Sequence, residues 1–184
     1  MSDRRHHRTE RLRLDAPTID DLDVLHAIYS DPRVWTHFPI LRHTNSQRTR
    51  SMLEGWIDEW DRDGLGQWIV RARDDDAVLG NAGCSLRPHG WWNLGYRFAA
   101  EVHGRGLATE AARAGLEAAV VVRPQAPVVA HLLEHNVASR RVAEKLGLTL
   151  QQQGHDVGNP DPDAVRLVYA DRDLTEEQRA TTLT

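Results

Sequence analysis

The sequence is poor in several things, and each shortage excludes something. It has one cysteine, Cys84. A single thiol cannot close an internal disulfide, which points to a reducing compartment, the cytoplasm. It has one lysine, Lys145, the other basic residues being arginines. We assign that bias to genome composition and not to function. Positive charge is not in excess: Lys and Arg total 23 against 27 Asp and Glu, a formal net charge of −4. That argues against a dedicated nucleic-acid binder and suits a cationic or amine partner. No apolar run approaches a membrane span; residues 116–122 are the richest and far too short. Residues 1–14 are basic and lack an apolar h-region, so no signal peptide is expected. No repeat or linker divides the 184 residues, so one domain with a real core is expected.

What is present reads as alternating strands and helices. Residues 11–14 alternate in polarity as a first strand. Pro17 ends it, and Thr18-Ile19-Asp20-Asp21 has the shape of a capping box. Leu22, Leu25, Ile28 and Tyr29 form one face of a first helix, which Asp31-Pro32 ends. Residues 33–44 form an irregular apolar loop of the length used for lids. A second helix follows Asn45 or Ser46 and carries Met52, Leu53, Trp56, Ile57 and Trp60. Trp56 and Trp60 share a helical face, packed in the core or walling an acceptor pocket. Residues 67–72, 78–86 and 91–98 are three strands, and Asp74-Asp75-Asp76 is a solvated turn. A helix spans 107–122, a buried strand 128–133 and a short helix 138–146 stopped by Gly147. Residues 148–153 and 164–170 are closing strands around a Gly, Pro, Asn and Asp loop at 154–163.

The order is β-α-α-β-β-β-α-β-α-β-β. It implies an α/β (α+β) fold: a mixed, mostly antiparallel twisted sheet with helices on both faces. The domain spans 10–171, with 1–9 and 172–184 as flexible or peripheral termini.

The chemistry concentrates at Val102-His103-Gly104-Arg105-Gly106-Leu107-Ala108-Thr109-Glu110-Ala111, where a strand gives way to a helix. A helix start offers unpaired N–H groups and the positive end of the dipole. Glycines there let backbone approach a ligand, so the stretch reads as an anion cradle, most often for phosphate. A P-loop needs G-x-x-x-x-G-K-[ST], which is absent. A dinucleotide fingerprint needs a third small residue where Thr109 stands, although Glu134 is placed to mimic its ribose-binding acid. A pyrophosphate cradle of another kind remains. His131-Leu132-Leu133-Glu134-His135 matches H-x-x-E-H, a zinc-peptidase pattern. On a strand those histidines lie about 13 Å apart, and no third ligand is evident, so no metal is expected.

His103-Gly104-Arg105-Gly106-Leu107-Ala108 resembles the Q/R-x-x-G-x-G/A motif of the GNAT superfamily of N-acetyltransferases, with His in place of Gln or Arg. Gly95-Tyr96 and Ala108-Thr109-Glu110-Ala111 are similar to its RimJ/RimL-like branch, the ribosomal-protein N-terminal acetyltransferases. That branch's second motif appears as Asn136-Val137-Ala138-Ser139-Arg140, then Glu144-Lys145-Leu146-Gly147-Leu148, with Leu148 for Phe. The resemblance covers residues 10–171 and implies acetyl-CoA as donor. By it, a splayed strand end at Tyr96, Arg97 and Phe98 pairs with pantetheine. Backbone N–H groups of Gly104, Arg105, Gly106, Leu107, Ala108 and Thr109 hold the pyrophosphate, beside His103. Asn136 contacts the pantetheine arm or acetyl region while capping its helix. Arg140 reaches the nucleotide phosphates or lies on a solvated face.

The resemblance further implies direct transfer from thioester to amine. An oxyanion donor is expected from N–H groups at a Tyr96–Phe98 bulge. Relatives use a tyrosine as general acid where this chain has Ala143. The branch carries a serine, matched by Ser139, whose alternative is a backbone-bonded hydroxyl. Glu101, His89, His37, His155 and Asp156 are base candidates, Glu101 the named one. His37, Trp56 and Trp60 are the substrate-binding expectations. Without a strong base, an acceptor of low pKa is favoured: an α-amine at about 7.8 rather than a lysine at about 10.4. The expected acceptor is therefore a protein N-terminal α-amine or a small amine. The alternatives are an aminoglycoside, polyamine or amino acid, or a non-catalytic acyl-CoA sensor. No nucleic acid or membrane partner is expected; closing strands that pair between subunits make a homodimer one expectation.

Overall fold

Alternating apolar side chains build the sheet, and small residues set how close the helices lie upon it. The computed structural model describes residues 4–157 and 159–183. Its strands are β1 (His6–Arg8), β2 (Leu12–Asp15), β3 (Gln67–Ala72), β4 (Val78–Leu86), β5 (Trp92–Phe98), β6 (Val128–Leu133), β7 (Thr149–His155) and β8 (Val165–Ala170). Its helices are α1 (Leu22–Ser30), α2 (Ser46–Asp63), α3 (Leu107–Val122), α4 (Val137–Lys145) and α5 (Glu176–Thr182). The eight strands form one sheet in the order β1-β2-β3-β4-β5-β6-β8-β7. Every neighbouring pair is antiparallel except β5 and β6. The mixed, mostly antiparallel sheet is as the sequence predicts.

α1 and α2 cover one face through Leu22, Leu25, Ile28, Tyr29 and Leu53, which pack with Ile69 of β3. α3 covers the other face. Its Ala111, Ala112, Gly115 and Ala119 let it lie close, and a Cβ on Gly115 would sit 3.3 Å from the Gly83 Cα. Leu12, Val70, Cys84, Trp92 and Val128 are fully buried beneath it. Each such aliphatic side chain contributes about 1.5–3 kcal/mol of burial.

Three local expectations change. The first nine residues read as frayed, yet residues 6–8 pair with β2 as an exposed edge strand, fixed by Ala16 N–H to the Arg5 carbonyl at 2.6 Å. Residues 1–3 lie outside the described part. The loop at 33–44 holds two 3-10 turns, Pro32–Trp35 and Pro39–Leu41, with Val34, Trp35 and His43 buried. The C-terminal stretch is peripheral but docked: Leu174 and Thr182 are buried, and Gln152 Nε2 donates to Thr182 Oγ1 at 2.6 Å. Thr184, and Gly158 in the 154–163 loop, lie outside the described residues.

Candidate active site

β5 and β6 pair only at Trp92 with Val128 and Asn93 with Val129, then diverge. The alternation of the ladders says which groups this splay leaves free. Ala99 N–H reaches Leu79 on β4, while Trp92 N–H reaches Pro127 on the β6 side. Odd residues of β5 therefore bond to β4, and the backbone groups of Leu94, Tyr96 and Phe98 face the opening. The bulge expected at Tyr96–Phe98 is absent. The β4–β5 register runs unbroken from Gly80 with Phe98 to Leu86 with Trp92, and register shifts lie instead between Val70 and Arg71 of β3 and between Leu150 and Gln152 of β7. Divergence of two strands, not a bulge, frees these groups.

The glycine turn closes one end of the splay. Gly104 and Gly106 have φ of 76° and 77°, the left-handed region that disfavours any side chain, and Gly106 is the N-cap of α3. The turn is braced from outside. Glu110 in the first turn of α3 accepts from Thr9 Oγ1 at 2.6 Å, Arg11 N–H at 2.8 Å and Arg11 Nε at 2.7 Å. Arg11 also donates to the Arg105 carbonyl at 2.9 Å. His103 Nε2 lies 2.9 Å from the Phe98 carbonyl, joining the turn to the end of β5.

A cavity of about 420 Å³ runs through the splay from the α4 side to the α1/α2 face. On the α4 side stand Tyr96, Asn136 and Ser139. Asn136 Oδ1 accepts from Ser139 N–H at 3.1 Å, the N-cap bond expected of it. Tyr96 donates its hydroxyl to the Ser139 carbonyl at 3.2 Å. Burial pushes the Tyr96 phenol up to about 12, against the pull of that bond. The Ser139 hydroxyl itself has no partner among the described residues.

On the other side stand His37, Trp56, Gln67, Asn81, Arg97 and His131. Gln67 and Asn81 are buried and linked, Asn81 Nδ2 donating to Gln67 Oε1 at 3.0 Å. Burial, then the Arg97 cation, lowers His37 to about 4. Burial, then Arg166 and Arg87, lowers His131 to about 4, with Asp156 opposing. His131 lies edge-on to Trp91, and its buried Nε2 has no hydrogen-bond partner among the described residues.

The structure brings His37, Trp56, Tyr96, Arg97, Asn136 and Ser139 together around this cavity. Others fall elsewhere. Trp60 is core: α2 carries it to the sheet end, where it packs on Trp68 and donates to the Gln67 carbonyl at 2.9 Å. Glu101 is exposed, paired with Arg33 and absent from the cavity wall. His89 and His155 are exposed, whereas Asp156 does line the cavity, buried and held by Arg166 and Asn159. Arg140 lies on an exposed helix face, paired with Glu144. His131 is on β6 and His135 in the turn beyond it, not one helical turn apart. The side chains of Arg97 and His131 are wall residues that sequence reasoning missed. Their signal was a polar residue alternating into an otherwise apolar strand.

The acetyltransferase (GNAT) domain family matches residues 11–149. The uncharacterised protein YkkB of Bacillus subtilis strain 168 is 31% identical over 150 residues, covering 76% of this chain and 83% of that one. An acetyltransferase of Agrobacterium tumefaciens superposes with a TM-score of 0.74 at 25% identity, covering 91% of this chain and 94% of that one. RimL, a ribosomal α-N-protein acetyltransferase solved with coenzyme A, superposes at 0.73 with 20% identity over 90% and 96%, a likeness of fold. Among the described residues no helix is long and apolar enough to cross a membrane. With its glycine turn, its splay and a family match over most of its length, the chain belongs to the GNAT acetyltransferases, acyltransferases whose donor is acetyl-CoA.

Proposed function

We propose that the chain transfers acetyl from acetyl-CoA directly to a primary amine, the α-amine of a protein N-terminus or of a small molecule, as in the RimJ/RimL-like branch. The single-thiol composition supports a cytoplasmic location. The observation that carries the reading is the through-sheet cavity. It joins a side fitted to a thioester donor to a side fitted to an amine.

The residues present fit the donor. The open backbone of Leu94 and Tyr96, with the Phe98 N–H, is a free strand edge, the Phe98 carbonyl being taken by His103, and an extended pantetheine amide chain matches it. Backbone N–H groups of residues 104–109, at the positive end of α3, suit the pyrophosphate. Asn136 keeps its Nδ2 for the same arm. Bound acetyl-CoA supplies the activated acyl carbon.

The chain's groups would then divide the work. The neutral amine attacks the acyl carbon, and the C–N bond forms as the carbonyl becomes an oxyanion. N–H groups of Tyr96 and Phe98 face that opening as donors. The nitrogen then gives its extra proton to water, the C–S bond breaks as the carbonyl re-forms, and the thiolate takes a proton from water, directly or through Ser139, which water reprotonates. A thiol pKa of about 8.5 makes a weak acid sufficient. His37 and His131, held at about 4, are neutral but weak bases. A lysine acceptor would cost about 3.5 kcal/mol more to deprotonate than an α-amine. That supports the α-amine.

The test is release of free coenzyme A from acetyl-CoA with a panel of amines. Turnover with α-amines and little with lysine side chains is the expected result. Robust turnover of lysine side chains alone would overturn the acceptor, and no turnover with any amine would overturn the reaction.

A further inference from the structure

Three arginines line the cavity: Arg87, Arg97 and Arg166. Two have acids at hand. Arg166 Nε bonds the buried Asp156 carboxylate. Arg87 lies near Glu59, which Ser85 holds at 2.7 Å. Arg97 has no carboxylate partner among the described residues. Its guanidinium stacks on Trp35, 3.5 Å from the ring centroid, and donates to the Val34 carbonyl at 3.2 Å. The Tyr29 ring lies 5.6 Å away. A guanidinium has five N–H donors and stays charged in proteins. The Tyr29 hydroxyl is a further hydrogen-bond partner, and the rest of this fork has no acceptor among the described residues.

A mostly buried cation without an anion is costly. A wall of the cavity is where a ligand removes that cost. Gln67 adds to the site. Its Oε1 is engaged by Asn81, which in turn accepts from the Tyr29 hydroxyl at 3.0 Å. The Gln67 Nε2 is left on the cavity side, 3.4 Å from the Cβ position of Gly95. Arg97 and Gln67 thus present donors only.

The donor's phosphates are not the missing anion. Alternation along β5 sets Arg97 with Asn93 and Gly95 on the α1/α2 face. The glycine turn and α3 lie on the opposite face, over Leu94 and Phe98. The cavity volume suits a small acceptor or the end of a peptide.

We propose that Arg97, with Gln67, is a receptor for a carboxylate carried by the acceptor. The substrate class is then an acidic amine, an amino acid or short peptide, and not a polyamine or aminoglycoside. This rests on the acetyl-transfer reading above. It reverses what the net charge of −4 suggests, because the charge that meets the substrate is local. A protonated amine entering beside Arg97 is repelled unless it brings its own negative charge.

Coenzyme A release is measured for wild type, Arg97→Gln and Arg97→Lys with matched acceptors. Alanine and alaninamide test a main-chain carboxylate. The amidated dipeptides Ala-Glu and Ala-Gln test a side-chain carboxylate, and spermidine is the polycation. At least one carboxylate member is expected to exceed its neutral partner by about tenfold or more in kcat/KM. Arg97→Gln removes that ratio through KM, leaves the acetyl-CoA Kd by calorimetry unchanged, and Arg97→Lys restores part of it. Neutral amines or spermidine used as well as the carboxylates by wild type would overturn the proposal. So would a ratio that survives Arg97→Gln, or an acetyl-CoA Kd that weakens in step with it. If acetyl-CoA binds but no amine turns over, the transfer reading fails separately. Calorimetric titration of the same acceptors into the coenzyme A complex then decides: a carboxylate preference lost in Arg97→Gln supports the receptor, and equal or no binding overturns it.

Discussion

The Tyr96 hydroxyl donates to the main-chain carbonyl of Ser139 at 3.2 Å, bridging β5 and the first turn of α4. Where the β5–β6 ladder stops, a side chain takes over the connection across the gap. The phenol, pushed up to about 12 by burial, is protonated at neutral pH and able to donate. The bridge holds Ser139 beside the cavity, its own hydroxyl without a partner among the described residues. Tyr96→Phe removes one hydrogen bond, about 1 kcal/mol, so the acetyl-CoA Kd is expected to rise about fivefold. Ser139→Ala is expected to lower kcat with Kd unchanged. Calorimetry and single-turnover rates separate the two. A kcat unaffected by Ser139→Ala would remove that serine as the acid.

Glu110 is the anchor of the glycine turn. It collects Thr9 and Arg11, and Arg11 holds the Arg105 carbonyl. Glu110→Gln turns one acceptor into a donor facing donors. The expected loss is about 2 kcal/mol of stability, a fall in Tm of several degrees. Acetyl-CoA affinity is expected to fall with it, since the turn loses its outer brace. Thermal melts with and without acetyl-CoA check both effects.

Three histidines, His37, His43 and His131, are held at about 4, with burial the first cause for each. An unfolded histidine titrates near 6.5. Between these values the unfolded chain takes up protons that the native chain refuses. Stability is therefore full above about pH 6.5 and declines as pH falls toward 4. Urea midpoints across that range are expected to show the decline. His131→Leu removes the unpartnered Nε2, so the slope becomes shallower and the midpoint near pH 7 holds or rises. Acceptor turnover is expected to fall in the same variant. A midpoint flat from about pH 6.5 to 4.5 in wild type would contradict the linkage.

Gly80 fixes how closely β4 lies against the end of β5. A Cβ there would fall 2.1 Å from the Arg97 carbonyl oxygen and 2.8 Å from the Phe98 Cα. Both are backbone atoms that cannot step aside. Gly80→Ala is expected to cost about 3 kcal/mol or more, measured by chemical denaturation. Because the displaced residues are those that face the splay, acetyl-CoA binding is expected to weaken at temperatures where the variant remains folded.

The turn at residues 103–109 was legible because its requirements are local. Glycine, a strand end and a helix start lie within ten positions, and the same holds for Asn136 capping α4. The acceptor side was not legible in that way. Trp56 and Trp60 share a helical face by spacing, yet only Trp56 reaches the cavity, because the helix runs past the sheet end where Trp68 waits. Glu101 sits beside the turn in sequence, but the 3-10 turn at Ala100–Val102 sends it outward to Arg33. His103 departs from the family motif and takes a structural bond to Phe98 that its residue type did not announce.

Periodicity determined the sheet and the order of helices, since each depends on contacts within one or two elements, and the resemblance carried by two motifs implied the proposed donor end and the reaction class. Tertiary structure alone decided the proposed acceptor end. Among the described residues it set Arg97 on Trp35 without an acid, left His131 Nε2 without a partner, and opened the cavity between β5 and β6. Those facts depend on what distant segments fail to supply. A sequence states which donors exist; which of them remain unsatisfied is known only after the whole chain has packed.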